Sequence, residues 1–522
     1  MNALLGMELR SSTAKGTANK VWGYVPDRGE RIVAPTIPSE VITPNNPPTG
    51  WGILGDIYSR GWQRTDNTNN FLSFFATFAY SFKNRYVVNA NVRNDASNVF
   101  GQDINHRIDP TYSFGLSWRA SEEAFFQKHL KWITTLNFRG TFGIQGNALT
   151  RESPELILSQ QGVQPGYNRY FSTIGQIPNP YLSWERTRNW NFGVDLELFR
   201  MFYMNLEYYT RRSNAVITVD LPFEYGIDDM KRNGGIIYNR GIEYTLSFTP
   251  IQKRDFSLNI NLNASKNWNK GGETKIDRNT AMYLRGGSTQ ILKEGYPLSA
   301  FWSYSFAGLD GSNGKPMFNY VEVPDEEKSK SIDPTTYLVY SGETEPYFTG
   351  GLGFSFRYKS LSLNTSFSLL LGSKKRLPSP YSDFQGSGSM MPDPTKNVNR
   401  DLLNRWQKPG DEAYTNIPGL PTWPIEIGWT LPNTDSAESS IKMWEQSDAM
   451  VVSGSFLRCR NIGLSWQMKK EWCDKIHAKN LAINFNMDNI FVIASKRFNG
   501  FDPELENSIM PRSFSLGLNI GF

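Results

Sequence analysis

Apolar side chains recur at every second position along most of this chain. Phe114, Leu116 and Trp118 alternate with small polar residues, and Trp190, Phe192, Val194, Leu196 and Leu198 alternate with Asn191, Gly193, Asp195 and Glu197. The same period runs through Ile242–Phe248, Phe256–Leu262, Leu361–Leu371 and Leu481–Met487. Side chains two apart share one face of a β-strand, so this spacing predicts strands, about fourteen in all and each roughly 10 to 15 residues long. The apolar phase is almost unbroken and ends in aromatics. The polar phase favours Asn, Ser, Gly, Asp and Arg over the Lys, Glu and Thr of a water-facing sheet. An apolar phase facing lipid and a polar phase facing a wet lumen produce that division.

The links between strands carry a second pattern. Short links at Lys83–Arg85, Arg200–Met201, Pro250–Arg254 and Lys359–Ser360 alternate with long ones at Asp95–Asp109, Ala215–Asn239, Asn269–Ser299 and Ser373–Met450. Tight turns at one end and long loops at the other are the layout of an outer-membrane barrel, and compact soluble domains rarely carry so many long loops. Leu309–Glu345 breaks the alternation, being long where a short turn is due. Residues 121–128, SEEAFFQK, read as one helical turn inside another link. The expected fold is therefore all-β, an antiparallel transmembrane barrel.

Composition narrows this further. The 522 residues have a mean hydropathy of −0.47, yet 14% are aromatic, an unusual supply of rings for so polar a chain. No run of about 18 apolar residues occurs, which excludes a transmembrane helix and leaves strands as the means of crossing. The net charge of +5 is small for the length and its Lys and Arg are scattered, so no nucleic-acid partner is expected. Two cysteines, Cys459 and Cys473, are too few for a disulfide framework, and His106, His129 and His477 stand apart from any metal-ligand spacing. No phosphate loop or catalytic triad order is present, and no cofactor is implied. Carboxylates at Asp502 and Glu504 and in EVPDEE (322–327) are of the kind that pair for glycoside hydrolysis, but their loop context favours solvated charge and a non-enzymatic chain.

Several stretches, in order, resemble the SusC-like branch of the TonB-dependent outer-membrane transporters. They are RNDASNVFG (93–101), FRGTFGIQGN (138–147), LSWERTRNWNFGVDL (182–196), NRGIEYTLSF (239–248), GGLGFSFRYKSLSL (350–363), RWQKPGD (405–411), GSFLRCRNIGLSW (454–466), DNIFVIA (488–494), GFDPE (500–504) and SFSLGLNIGF (513–522). The resemblance is to the C-terminal part of that family, whose barrels have about 22 strands around an N-terminal plug. It implies that residues 1–522 supply about fourteen of those strands, with the plug and first strands lying outside this chain. The opening MNALLGMELRSS carries no export signal and already alternates, as though it lay within a strand. An acidic loop that many members carry is replaced by LDGSNGKPMF (309–318), read here as an Asn-Gly turn.

The resemblance also implies location in the outer membrane of a Gram-negative, Bacteroidetes-type bacterium. The implied partners are a SusD-like surface lipoprotein, the TonB system acting through the plug, and a second chain if one completes the barrel. Its cargo is expected to be glycan oligomers or peptides. Aromatics among small polar residues in the long loops suit such ligands, which singles out Tyr167, Tyr170, Trp423 and Trp429. In the last strand Phe514, Leu516, Leu518, Ile520 and Phe522 are expected to face lipid, a pattern resembling the signal read by the outer-membrane assembly machinery. Two other readings fit the same sequence: a scaffold barrel that moves no solute, and a soluble all-β carbohydrate-binding protein.

Overall fold

The computed structural model describes residues 1–19, 24–25, 31–32, 62–98, 108–147, 155–164, 169–227, 229–274, 281–287, 292–319, 333–381, 397–420, 427–430, 437–505 and 508–522. Fourteen strands form one antiparallel meander, each paired with the next in chain order. They are β1 (Asn2–Asn19), β2 (Trp62–Phe82), β3 (Tyr86–Ser97), β4 (Ile108–Arg119), β5 (Ile133–Asn147), β6 (Glu185–Leu198) and β7 (Phe202–Asp220). The second half comprises β8 (Asp229–Gln252), β9 (Phe256–Thr274), β10 (Phe348–Tyr358), β11 (Leu361–Leu371), β12 (Phe456–Gln467), β13 (Asn480–Ala494) and β14 (Ser513–Gly521). Strands β1 and β14 each have a single neighbour among the described residues, so this sheet is open at both edges.

The register joins the alternating phases into two continuous faces. One row runs Leu352–Leu262–Leu246–Met204–Leu196–Leu136 across six strands, and another runs Phe356–Leu363–Leu464–Phe485–Leu516. The apolar face stays uncovered: Phe74 is 51% exposed, Phe192 53% and Leu516 77%. Leaving each such side chain in water forfeits about 1.5–3 kcal/mol. A band of this extent across fourteen strands rules out the soluble reading and needs hydrocarbon as its partner.

Tight turns lie at one end. Lys83–Asn84 and Phe199–Arg200 are consecutive left-handed pairs, the backbone that two-residue hairpins use to match strand twist. The link between β4 and β5 holds α1 (Ala124–His129), so the helical turn expected at 121–128 is present there. The long links all lie at the other end.

Two expectations about links need correction. Residues 215–239 are mostly strand, because β7 and β8 continue pairing as far as Asp220↔Asp229, and β8 reaches 24 residues instead of roughly 10 to 15. The irregular link Leu309–Glu345 is not a turn between barrel strands. Ala300–Tyr304 is buried at all five positions and pairs with Leu338–Glu343 in a separate two-stranded sheet. Everything from 275 to 347 is thus one long connection between consecutive barrel strands, so Leu309–Glu345 no longer breaks the alternation of ends.

Candidate functional site: a polar wall and a folded loop cap

A cavity of about 670 Å³ lies against the polar face, lined among others by Phe75, Asn91, Arg93, Asp95, Ser113 and Gln145. In a transmembrane barrel the apolar phase faces lipid, so these polar side chains form the lumenal wall. The wall is cross-linked by its own side chains. Arg93 donates to Asp95 at 2.7 Å, Ser73 at 2.8 Å and Glu8 at 3.0 Å, joining three strands. Arg139 donates to Glu207 at 2.9 Å and Asp195 at 3.2 Å, and Asn205 donates to the same Asp195 oxygen at 2.7 Å. On β13, Asp488 accepts from Asn461 and Ser513 at 2.7 and 2.8 Å. The two arginines are about two-fifths exposed, so each ion pair adds about 0–1 kcal/mol. Their consequence is chemical: the wall offers donors and acceptors of both signs, with no single-sign field.

At the long-loop end, the links 275–347 and 372–455 pack into one cap with a core of its own. Leu284, Trp302, Tyr304, Tyr337, Leu338 and Met443 form one buried cluster, and Tyr381, Leu402, Trp444 and Met450 a second. Backbone bonds sew the links together. The Tyr304 amide donates to the Gln446 carbonyl at 3.2 Å, the Phe306 amide to Asp448 at 2.9 Å and the Gly419 amide to the Gly314 carbonyl at 3.0 Å. Gly314 has a φ of +70°, and a β-carbon there would meet the Trp406 ring at 2.3 Å, so the turn needs glycine on both counts. Asp310 in this turn accepts from the Ser312 hydroxyl and amide at 2.7 and 2.8 Å, and these bonds, the hydroxyl's first, hold its carboxyl below the usual range. The segment 309–318 is thus a self-satisfied turn, as its Asn-Gly pair suggests.

Arg376 crosses between the links, donating to the Arg285 carbonyl at 2.8 Å, the Trp302 carbonyl at 3.1 Å and the Ser303 hydroxyl at 3.0 Å. Burial, aided by the Arg285 charge, pushes its guanidinium down to about 10. A cation committed to carbonyls in this way is a structural strut.

The third long link, 495–512, is clamped to the wall by an ion pair. Arg458 on β12 is 2% exposed, and its Nη2 meets both Asp502 oxygens at 2.7 Å and Glu504 at 2.9 Å. Arg460 reaches Glu504 at 3.1 Å. Asp502 and Glu504 are therefore not solvated loop charge, and their oxygens are held by arginines instead of facing a substrate. Removing one partner of a buried pair costs about 3–5 kcal/mol, because the other charge is left stranded.

A cleft of about 550 Å³ opens where this link meets the cap, lined by Asn399, Asp401, Tyr414, Asn416, Lys496 and Phe501 among others. Asn499 donates to Asp401 at 2.6 Å across it, and Tyr414 stands 92% exposed at its edge. An exposed ring beside amides, the Asp401 and Asp448 carboxylates and the cations Lys496 and Arg497 suits sugar rings or extended peptide backbone.

Of the aromatics singled out from the sequence, Tyr167 and Trp423 lie outside the described residues. Tyr170 is in the strand Arg169–Gln176, opposite Val163, and Trp429 is in Ile427–Thr430, opposite Glu438. On β14, Phe514, Leu516, Leu518 and Ile520 sit opposite Met487, Phe485, Ile483 and Leu481 on the outer face, and Phe522 follows, exposed. The EVPDEE segment and His106 lie outside the described residues; His129 and His477 are exposed. Sequence reasoning missed Arg93, Arg139 and Arg458. For Arg93 and Arg139 the available signal was charge on the polar phase of a strand with carboxylates two residues away or on neighbouring strands; Arg458 carried no such signal, because the alternation puts it on the other phase.

Residues 36–490 match the family described as TonB dependent receptor-like, beta-barrel. The chain is 26% identical to the TonB-dependent receptor SusC of Bacteroides thetaiotaomicron over 482 residues, 87% of this chain and 44% of that protein. It is 23% identical to TonB-dependent receptor P3 of Formosa agariphila, over 87% of this chain and 46% of that protein. Among solved structures it is similar to the RagAB peptide importer in its open-open state. There the TM-score is 0.70 and identity 20%, covering all of this chain and 52% of that one. The chain spans about half the length of the curated relatives it matches.

Proposed function

Because the chain belongs to the TonB-dependent receptor-like β-barrel family, and so to the outer membrane, we propose that it forms the C-terminal barrel portion of a SusC-like nutrient importer. The observation that carries this reading is the pairing of a polar, mixed-charge lumenal wall with a folded cap at the long-loop end. The open edges at β1 and β14 cannot stand in hydrocarbon, where every backbone N–H and C=O must be paired. On this reading further strands close the barrel, and a plug within them couples it to the TonB system. The cap is the surface on which a SusD-like lipoprotein would sit, delivering glycan oligomers or peptides into the lumen.

The wall and cleft bind and guide cargo without converting it, and the carboxylates of the GFDPE segment serve as clamps. The test is uptake of size-defined fluorescent oligosaccharides and oligopeptides by cells carrying the full-length protein, with the gene deleted as control. Accumulation of one class, lost on deletion and on collapse of the proton-motive force, is expected. Absence of any deletion-sensitive uptake would favour the scaffold reading.

A further inference from the structure

The six short links, 83–85, 120–132, 199–201, 253–255, 359–360 and 468–479, together hold twelve Lys and Arg against five Asp and Glu, an excess of +7. The whole chain carries only +5, so the rest of the molecule is slightly negative and the basic character sits at one end. It is spread along that rim, with an exposed Lys83, Lys131, Arg200, Lys253, Lys359 or Lys469 in each link. Beside these cations lie exposed rings on the outer face. Phe82 is 46% exposed, Trp132 44%, Phe199 64%, Tyr358 48% and Trp472 50%. Trp132 stacks on Phe199 at 5.8 Å, and Trp466 meets Trp472 edge-on at 5.9 Å, giving a girdle that spans separate turns. The Lys83 and Lys359 ammonium groups sit 5.3 and 5.4 Å from the Phe82 and Tyr358 ring centres, which fixes their charge at the level of the girdle.

Aromatic girdles mark the depth of lipid headgroups. We propose that the short-turn end is a docking surface for anionic phospholipid headgroups of the leaflet it faces. Cations held at girdle depth meet headgroup phosphates directly, and their even spacing around the rim fits a leaflet better than a compact protein partner. Of the five acidic groups at this end, Glu123 is tied to Arg85 at 3.1 Å and to the Tyr86 hydroxyl at 2.6 Å, and the exposed Glu122, Asp255, Glu471 and Asp474 are outnumbered by the cations around them. This inference rests on the barrel being membrane-embedded.

The test takes the full-length protein in neutral detergent and offers phosphatidylglycerol or phosphatidylcholine with identical acyl chains, counting retained lipids by native mass spectrometry. Several-fold preference for phosphatidylglycerol is expected, falling as salt rises from about 0.05 to 0.5 M. Combined Lys83→Gln, Lys253→Gln, Lys359→Gln and Lys469→Gln should abolish it, and Lys15→Gln with Lys408→Gln at the opposite end should not. The four Lys→Arg exchanges at the same positions should keep it, which guards against a variant that merely misfolds. Equal retention of both lipids by folded protein would overturn the proposal. A soluble polyglutamate peptide binding as strongly as phosphatidylglycerol would also do so, in favour of an acidic protein partner. Failure to enter bilayers at all would instead count against the membrane reading.

Discussion

The wall and the cap are both β-rich pieces of one chain, yet they use aromatic side chains in opposite ways. On the wall, Phe74, Phe192, Phe514 and Leu516 stand half or more uncovered on the outer face, and no second layer packs on them among the described residues. In the cap, Trp302, Tyr304, Tyr381 and Trp444 are at most 2% exposed; Trp444 donates to the Asn416 carbonyl at 2.8 Å, and the Tyr381 hydroxyl to the Pro418 carbonyl at 2.5 Å. The wall's hydrophobic partner is lipid, and strand pairing alone gives it shape. The cap's partner is itself, so its side chains must interlock as in a soluble core.

This contrast makes the cap the place where truncating a ring does most harm. Trp444→Ala should destabilise the cap by about 3–5 kcal/mol. Phe192→Ala on the wall should cost no more than about 1 kcal/mol, since hydrocarbon fills the space left. Limited proteolysis of the long links, set beside heat-modifiable gel migration of the barrel, separates the two. Equal damage from both substitutions would erase the distinction. A smaller but opposite-signed asymmetry is expected for charge. Leu262→Arg, in the middle of the outer belt, should cost about 2–4 kcal/mol of barrel stability in bilayers, whereas arginine at exposed Leu403 in the cap should be nearly silent. Unfolding in lipid vesicles by urea checks this, and an equal effect at both sites would put the outer belt in water.

The weakest expected effect concerns the turn at Asp310. Its carboxyl is held low by bonds to Ser312, so the turn gains stability above the unfolded carboxylate value of about 4 and loses it as pH falls through the lower folded value. Protection of the Ser312 amide from hydrogen exchange should drop below about pH 4 while strand amides on the wall stay protected. Undiminished protection at pH 2 would show that the backbone, not the carboxylate, holds the turn.

Strand order, number and the assignment of faces were readable from the alternation, because a strand's side chains have a fixed period of two and a barrel gives each phase a different solvent. β14 shows this plainly: every apolar residue from Phe514 to Ile520 lies on the outer face, where period alone places it. The loops were less legible, since nothing local marks Ala300–Tyr304 as cap core instead of barrel strand. Both are short apolar runs, and only the partner they meet distinguishes them.

The sharpest limit is on β12. Period two, counted back from Leu464 and Ile462, would place Arg460 and Arg458 in lipid. In the structure Ser366 pairs with Asn461 and Phe367 with Cys459, leaving Arg460 as an extra residue. That bulge exchanges the faces beyond it, turning Arg458 inward toward Asp502 and Glu504. The sequence by itself determined the barrel wall, because its physics is local and repeats every two residues. The clamp, the cap and the cleft depend on contacts between segments tens to more than a hundred residues apart, and only the tertiary structure decided those.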